Sequence, residues 1–138
     1  MWKKFDLAST EETIGGLSIH IVRVQGYLDS STFTQLQDHL EKIIGEGQSR
    51  IIVEFGDLNY ISSAGLGVLL GMLQEVREKN GDLKLANMSP KIRNLFDMLG
   101  FSRLIRIYED QESAKEAFLQ DYAKSTQPGE ETKLEDNY

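Results

Sequence analysis

Hydrophobic and polar positions along the chain change rhythm several times, and each change predicts an element. From Leu17 to Leu28, LSIHIVRVQGYL alternates, with Leu17, Ile19, Ile21 and Arg23 on one side and Ser18, His20, Val22 and Val24 on the other. Apolar side chains on both sides, many of them β-branched, predict a strand buried on at least one face. Gly15-Gly16 supplies a turn before it, and residues 2–7 offer a short partner strand in a hairpin. The rhythm then lengthens: Phe33, Leu36, Leu40, Ile43 and Ile44 recur at intervals of three and four, which predicts an amphipathic helix. Asp29, Ser30 and Ser31 stand before it as cap-type residues, and Gly45 and Gly47 end it. Ile51–Phe55 is a short apolar run of the kind found in interior parallel strands, and GDLNY reads as the turn after it. A long helix follows from about Ala64 to Lys79, stopped by Asn80-Gly81. LKLAN predicts another strand. Ser89-Pro90 opens a helix with apolar positions Ile92, Leu95, Phe96 and Leu99, closed by Gly100. LIRIY is an edge-strand candidate, and DQESAKEAFLQDY a last helix with Ala114, Ala117 and Phe118 inward.

Strands alternating with helices predict an α/β fold: a four- to five-stranded, mostly parallel sheet with about four helices. The chain has 138 residues, 40% of them hydrophobic, enough for one ordinary domain. That domain is expected over residues 1–123. Residues 124–138 are polar and acidic without apolar periodicity, so a disordered tail is expected there. Cysteine is absent, which excludes disulfides, thiol catalysis and thiolate-bound metals. The opening MWKKFDLASTEE turns acidic too early for a signal peptide, and no apolar run approaches the ~20 residues of a membrane span. A cytoplasmic protein is expected. The formal net charge is −7, and lysine and arginine are scattered singly, so neither nucleic acid nor an anionic membrane is an expected partner.

Few residues offer catalytic chemistry. GLGVLLG follows a strand and opens a helix, but Leu70 stands where a dinucleotide fingerprint needs its third glycine, and no phosphate-loop lysine follows. Gly67 and Gly71 are better read as letting the helix lie close on the sheet. His20 and His39 have no ligand or triad partner at recognisable spacing and read as surface residues. Carboxylates such as Glu75 and Glu78 read as a solvated helix face. The chain is expected to be no enzyme and to need no metal or cofactor. Ser62 and Ser63 differ because of their place at the mouth of a helix, where unpaired N–H groups and a partial positive charge favour an anion such as phosphate. One of the pair would cap the helix. Ala64-Gly65 leaves room in front of the other.

The stretch GDLNYISSAGLGVLLGMLQEVREKNGDLKLANMSPKIRNLFDMLGFSRLIRIYEDQESAKEAF closely resembles the STAS domain of bacterial anti-sigma factor antagonists. The resemblance reaches upstream to QGYLDSSTFTQLQDHL and covers roughly residues 17–120. It implies a STAS-type domain that acts by partner switching. In that family a GHKL-type serine kinase, itself the anti-sigma factor, phosphorylates a serine at the start of the second helix. The unphosphorylated protein binds this kinase and frees the sigma factor. A PP2C-type phosphatase reverses the modification. The family pattern is Asp-Ser-Ser/Thr-Gly-Leu. Aligned on Gly65-Leu66, the Asp position is Ser62, the first hydroxyl position is Ser63 and the second is Ala64. Ser63 is thus the implied phosphoacceptor, with Ser62 as the alternative. Asp29 matches a partner-contacting aspartate, though it suits an N-cap equally well. Asp29, Ser62, Ala64, Gly65 and Leu66 are the implied partner-binding set. Leu66 is expected at the surface and Leu69 against the sheet. The alternative reading is a module of this fold that regulates a non-sigma signalling partner or holds a small ligand.

Overall fold

The computed structural model describes residues 5–125. A hairpin opens the fold. β1 (Asp6–Ile14) and β2 (Leu17–Leu28) pair antiparallel across Gly15 and Gly16, whose φ values of 56° and 85° suit glycine. The partner strand is therefore residues 6–14, not 2–7. The two-residue turn pairs Ile14 with Leu17, so the strand must run back from Ile14 without a gap. Residues 2–4 lie outside the described residues.

β3 (Arg50–Ile61), β4 (Asp82–Ala86) and β5 (Ile107–Tyr108) run parallel to β2, giving one five-stranded sheet in the order β1-β2-β3-β4-β5. Four helices connect and cover it: α1 (Phe33–Gly45), α2 (Ser63–Glu78), α3 (Pro90–Met98) and α4 (Gln111–Ser125). Val22 and Val24 of β2 face the larger core with Leu36, Leu40, Leu69, Leu73, Ile92 and Phe96 of the first three helices. Leu17, Ile19 and Ile21 face the opposite side, where Ala114 and Phe118 of α4 cover them. The alternating pattern of β2 thus reflects burial on both faces. Ala117, expected inward beside Ala114 and Phe118, is only half-buried.

Three further boundaries differ from the sequence pattern. GDLNY is no turn: β3 continues through it to Ile61, with Leu58 and Ile61 still pointing into the core. The strand absorbs the irregular residues as register shifts against Arg23–Gln25 and Gly26–Tyr27 of β2, so the turn-type residues bend the strand without ending it. β5 is only two residues long, preceded by a 3₁₀ turn at Phe101–Arg103. α4 extends through Lys124 and Ser125; the rest of the expected tail, 126–138, lies outside the described residues.

α2 ends where the sequence predicts. Asn80 adopts φ 64°, and a Cβ on Gly81 would sit 1.8 Å from the Ser49 carbonyl oxygen, so only glycine fits. Because β2 to β5 are parallel, all four helices start at the same edge of the sheet, beyond the strands' carboxyl ends.

Candidate functional site

The last pair in the β2–β3 ladder, Leu28 opposite Ile61, delivers the chain to that edge on both strands at once. Ser62 follows in an extended conformation (φ −96°, ψ 171°), its N–H donating to the Leu28 carbonyl at 2.8 Å. Its carbonyl accepts the first helical bond, from Leu66 N at 3.0 Å, and its hydroxyl accepts from Gly65 N at 3.3 Å. Ser62 is thus the N-cap of α2, half-buried and with its side chain engaged. Ser63 is the first helical residue. It is exposed, and its hydroxyl makes no hydrogen bond among the described residues. No acidic residue occupies the first turn, so no side chain of the helix itself offsets the partial positive charge of this end.

The residues after Ser63 divide by depth. Ala64 is half-buried. Gly65 is buried, and a Cβ there would meet Leu28 Cγ at 2.8 Å and Ile61 Cγ1 at 3.1 Å. The helix mouth therefore rests directly on the strand ends, and this glycine is the close approach the sequence assigned to Gly67 and Gly71. Those two are exposed, with nothing within 4 Å of a Cβ built on either. Leu66, expected at the surface, is only 3% exposed and packs in the same core as Leu69. Since the helix begins at Ser63, Leu66 and Leu69 fall on one face of it, toward the sheet, and Ser63, Gly67, Gly71 and Gln74 on the other. Leu66 and Gly65 support the site from below and present no side chain at its surface.

Asp29 lies beside this mouth, one residue past Leu28. It is not the N-cap of α1; Thr32 holds that position. The Asp29 carboxylate accepts from Ser31 N at 2.9 Å and Ser31 Oγ at 2.7 Å, a tight turn that leads into the helix. These bonds, the Ser31 hydroxyl first, hold the Asp29 carboxyl below the usual carboxylate range. Thr32 Oγ1 accepts from Asp29 N and donates to the Tyr27 carbonyl, tying the loop to β2. Asp29, Ser62 and Ser63 therefore occupy one rim, on neighbouring strand ends.

The histidines are not solitary surface residues. Both are half-buried between α1 and the hairpin, where burial lowers the pKa of each. His39 Nε2 meets Ser9 Oγ at 3.1 Å, and His20 Nδ1 is buried without a partner. Among the described residues no group of His, Cys, Asp and Glu is arranged to hold a metal, and no helix is long and apolar enough to cross a membrane. The sequence pattern also left three buried charges unremarked, Glu54, Lys84 and Lys115, the last paired with Glu12 and Glu112. Glu54 accepts from Gly56 N, Arg23, Asn87 and Gln111. Lys84 is fully buried on β4 between Asp82 (2.9 Å) and Asp121 (2.8 Å), its ammonium 4.6 Å from the centre of the Phe118 ring. Lys84 fastens α4 to the sheet.

The family model for the STAS domain matches residues 11–114, and the chain belongs to that family. BtrV of Bordetella bronchiseptica, a candidate anti-sigma factor antagonist, is 33% identical over 109 residues, spanning 79% of this chain and 92% of its own. The anti-sigma F factor antagonist of Paenibacillus polymyxa is 30% identical over 95 residues, 68% of this chain and 81% of its own. The cell-fate determinant SpoIIAA of Bacillus, solved in its phosphorylated form, shares the fold with a TM-score of 0.59 at 25% identity, over 80% of this chain and 99% of that one. The first two are named for antagonising another protein and the third for determining cell fate.

Proposed function

We propose that this protein is an anti-sigma factor antagonist acting in the cytoplasm by partner switching, with Ser63 as its phosphoacceptor. One observation carries the choice of serine: Ser63 is exposed with a free hydroxyl, whereas the Ser62 hydroxyl is half-buried and caps α2. The names of the relatives support the antagonist role, and the mouth of α2, with no acid in its first turn, supports a phosphate at this place. The unphosphorylated rim of Asp29, Ser62, Ser63 and Ala64 binds a GHKL-type kinase that is also the anti-sigma factor, and so releases the sigma factor. Phosphate on Ser63 puts a dianion into that contact and dissociates it. A PP2C-type phosphatase restores the binding form.

The test is incubation with purified GHKL-type kinases of the source organism and ATP, followed by peptide mass spectrometry. A single phosphate on Ser63 is expected, absent from Ser63→Ala. Ser63→Ala should keep its affinity for the kinase, and Ser63→Asp should lose roughly 30-fold or more, corresponding to a coupling of about 2 kcal/mol. A phosphate found on Ser62 would move the acceptor by one residue. No phosphate on either serine would leave a binding module that does not switch this way.

A further inference from the structure

Among the described residues, one part of the sheet lacks the cover that the rest has. On the face that α4 packs against, β2 and β3 carry successive cross-strand pairs toward the helix-bearing edge: Arg23 with Glu54, Gln25 with Asp57, then Tyr27 with Tyr60. β1 extends the first two rungs, with Ala8 opposite Arg23 and Asp6 opposite Gln25. Residues directly opposed across strands put their side chains on one face. α4 reaches only the lowest of these rungs. Gln111 at its start donates to Glu54, and the helix runs from there toward the far edge, where Arg50 lies over Tyr122. No described element lies over the two upper rungs.

The uncovered rungs are aromatic and acidic. Tyr27 and Tyr60 are 43% and 45% exposed, with ring centroids 6.2 Å apart and planes tilted by 34°. Beneath them stand Asp6 and Asp57 on either side of Gln25. Asp57 accepts only a long bond of 3.4 Å from Gln25, and no cation among the described residues pairs with either aspartate. The one arginine of this ladder, Arg23, is already bound to Glu54 at 3.2 Å. The patch also runs into the rim described above. Tyr60 is two residues before Ser62, and the Tyr27 carbonyl holds the Thr32 hydroxyl of the Asp29 loop.

We propose that this uncovered face is a docking surface for a basic, arginine-bearing segment of the same anti-sigma partner that covers Ser63. It rests on the partner-switching reading for the identity of that partner. Charge and shape choose the occupant: open tyrosine faces accept a planar guanidinium, and the two carboxylates below them, without a cationic partner among the described residues, accept its N–H groups. Lysine would match the charge but neither the stacking nor the paired hydrogen bonds.

The test is surface plasmon resonance with purified GHKL-type anti-sigma factors of the source organism as probes, against the wild-type chain and Tyr27→Ala, Tyr60→Ala, Asp57→Lys and Ser63→Asp. Each tyrosine variant is expected to weaken binding about tenfold, as buried aromatic anchors do. Asp57→Lys should weaken it to a similar extent, mainly through slower association, and should flatten the salt dependence. Thermal melting checks that each variant is folded; if a tyrosine variant melts early, the exposed Asp57→Lys carries the test. Tyrosine and Asp57 variants that bind within twofold of wild type, while Ser63→Asp is weakened, overturn the docking surface and leave the switch standing. Weakened tyrosine variants with an unaffected Ser63→Asp support the surface and overturn the switch. A wild-type dimer in sedimentation that Tyr60→Ala converts to monomer assigns the face to a second copy and overturns the proposal. Failure of every probe to bind the wild-type chain overturns both.

Discussion

Ser62 and Ser63 have the same side chain and differ in backbone position by one step, and that step separates a structural role from a chemical one. Ser62 is extended, so its hydroxyl turns back onto Gly65 N; Ser63 is helical, so its hydroxyl turns outward. Removing the first should therefore destabilise the fold and removing the second should not. In urea titrations Ser62→Ala is expected to lose about 1 kcal/mol, the usual contribution of a serine cap. Ser63→Ala should stay within about 0.5 kcal/mol of wild type. Equal losses would mean that Ser63 shares the cap. This pair was legible in the sequence, because a strand followed by Ser-Ser and then a helix obliges one serine to cap it. Lys84 was not legible. LKLAN shows only a strand with a polar residue on one face, and nothing local reveals Asp121, thirty-seven positions away, waiting across the sheet. Burial pulls the Lys84 pKa down, but the bonds to Asp121 and Asp82 outweigh it and the net shift is upward. A raised lysine pKa contributes stability that is fully present below the ordinary lysine value and lost only as pH rises past the higher folded value. Lys84→Met should thus cost about 1–3 kcal/mol, by removing the buried bonds to Asp82 and Asp121, which keep only their more exposed partners Arg77 and Arg106. The difference from wild type should be flat between about pH 6 and 9 and shrink only at strongly alkaline pH. A difference that disappears already by pH 8 would rule out the raised lysine.

At the scale of elements, α2 shows how a helix can be found correctly and turned the wrong way. Its apolar run is nearly continuous, so the pattern does not single out one face, and glycines are ambiguous between close packing and exposure. The start at Ser63 resolves it. Gly65, Leu66 and Leu69 go to the core, and Gly67 and Gly71 to solvent. Exposed mid-helix glycines that touch nothing lower the stability of the helix without any packing return. Gly71→Ala is expected to stabilise the protein by about 0.5–1 kcal/mol, read as a higher denaturation midpoint with an unchanged slope. On the opposite face Leu66→Ala and Leu69→Ala should each lose about 2–5 kcal/mol. A near-neutral Leu66→Ala would return that residue to the surface. The strands show the complementary failure. GDLNY is rich in turn-type residues, yet β2 extends beside it and supplies a ladder for β3 to Ile61. Pairing with a neighbour overrode local propensity, and a single strand's sequence does not contain its neighbour's length. The same extension places Tyr27 opposite Tyr60, which no local pattern announces.

For the whole molecule the question is whether a phosphate on Ser63 acts through the shape of the domain or through its surface. The fold carries two cores on either side of the sheet, and the Ser63 hydroxyl touches neither. A phosphoserine adds roughly −1.5 to −2 charges to a chain already at −7, which by long-range repulsion disfavours the compact state slightly. At the mouth of α2 the same charge meets the positive end of a sixteen-residue helix with no acid in its first turn, a local gain of about 0.3–1 kcal/mol. The local gain is at least as large as the diffuse loss, so the phosphorylated protein should be as stable as the unmodified one, with its melting temperature unchanged or a few degrees higher. Amide chemical-shift changes should be confined to the rim around Asp29 and residues 62–67, leaving α4 and β1 untouched. High salt should narrow any gain in melting temperature, because the helix-end charge is solvent-exposed and screened. Melting curves and amide spectra of the two forms at low and high salt decide the matter. A phosphorylated form that melts several degrees lower, or shifts amides across both cores, would mean that the modification switches the fold itself.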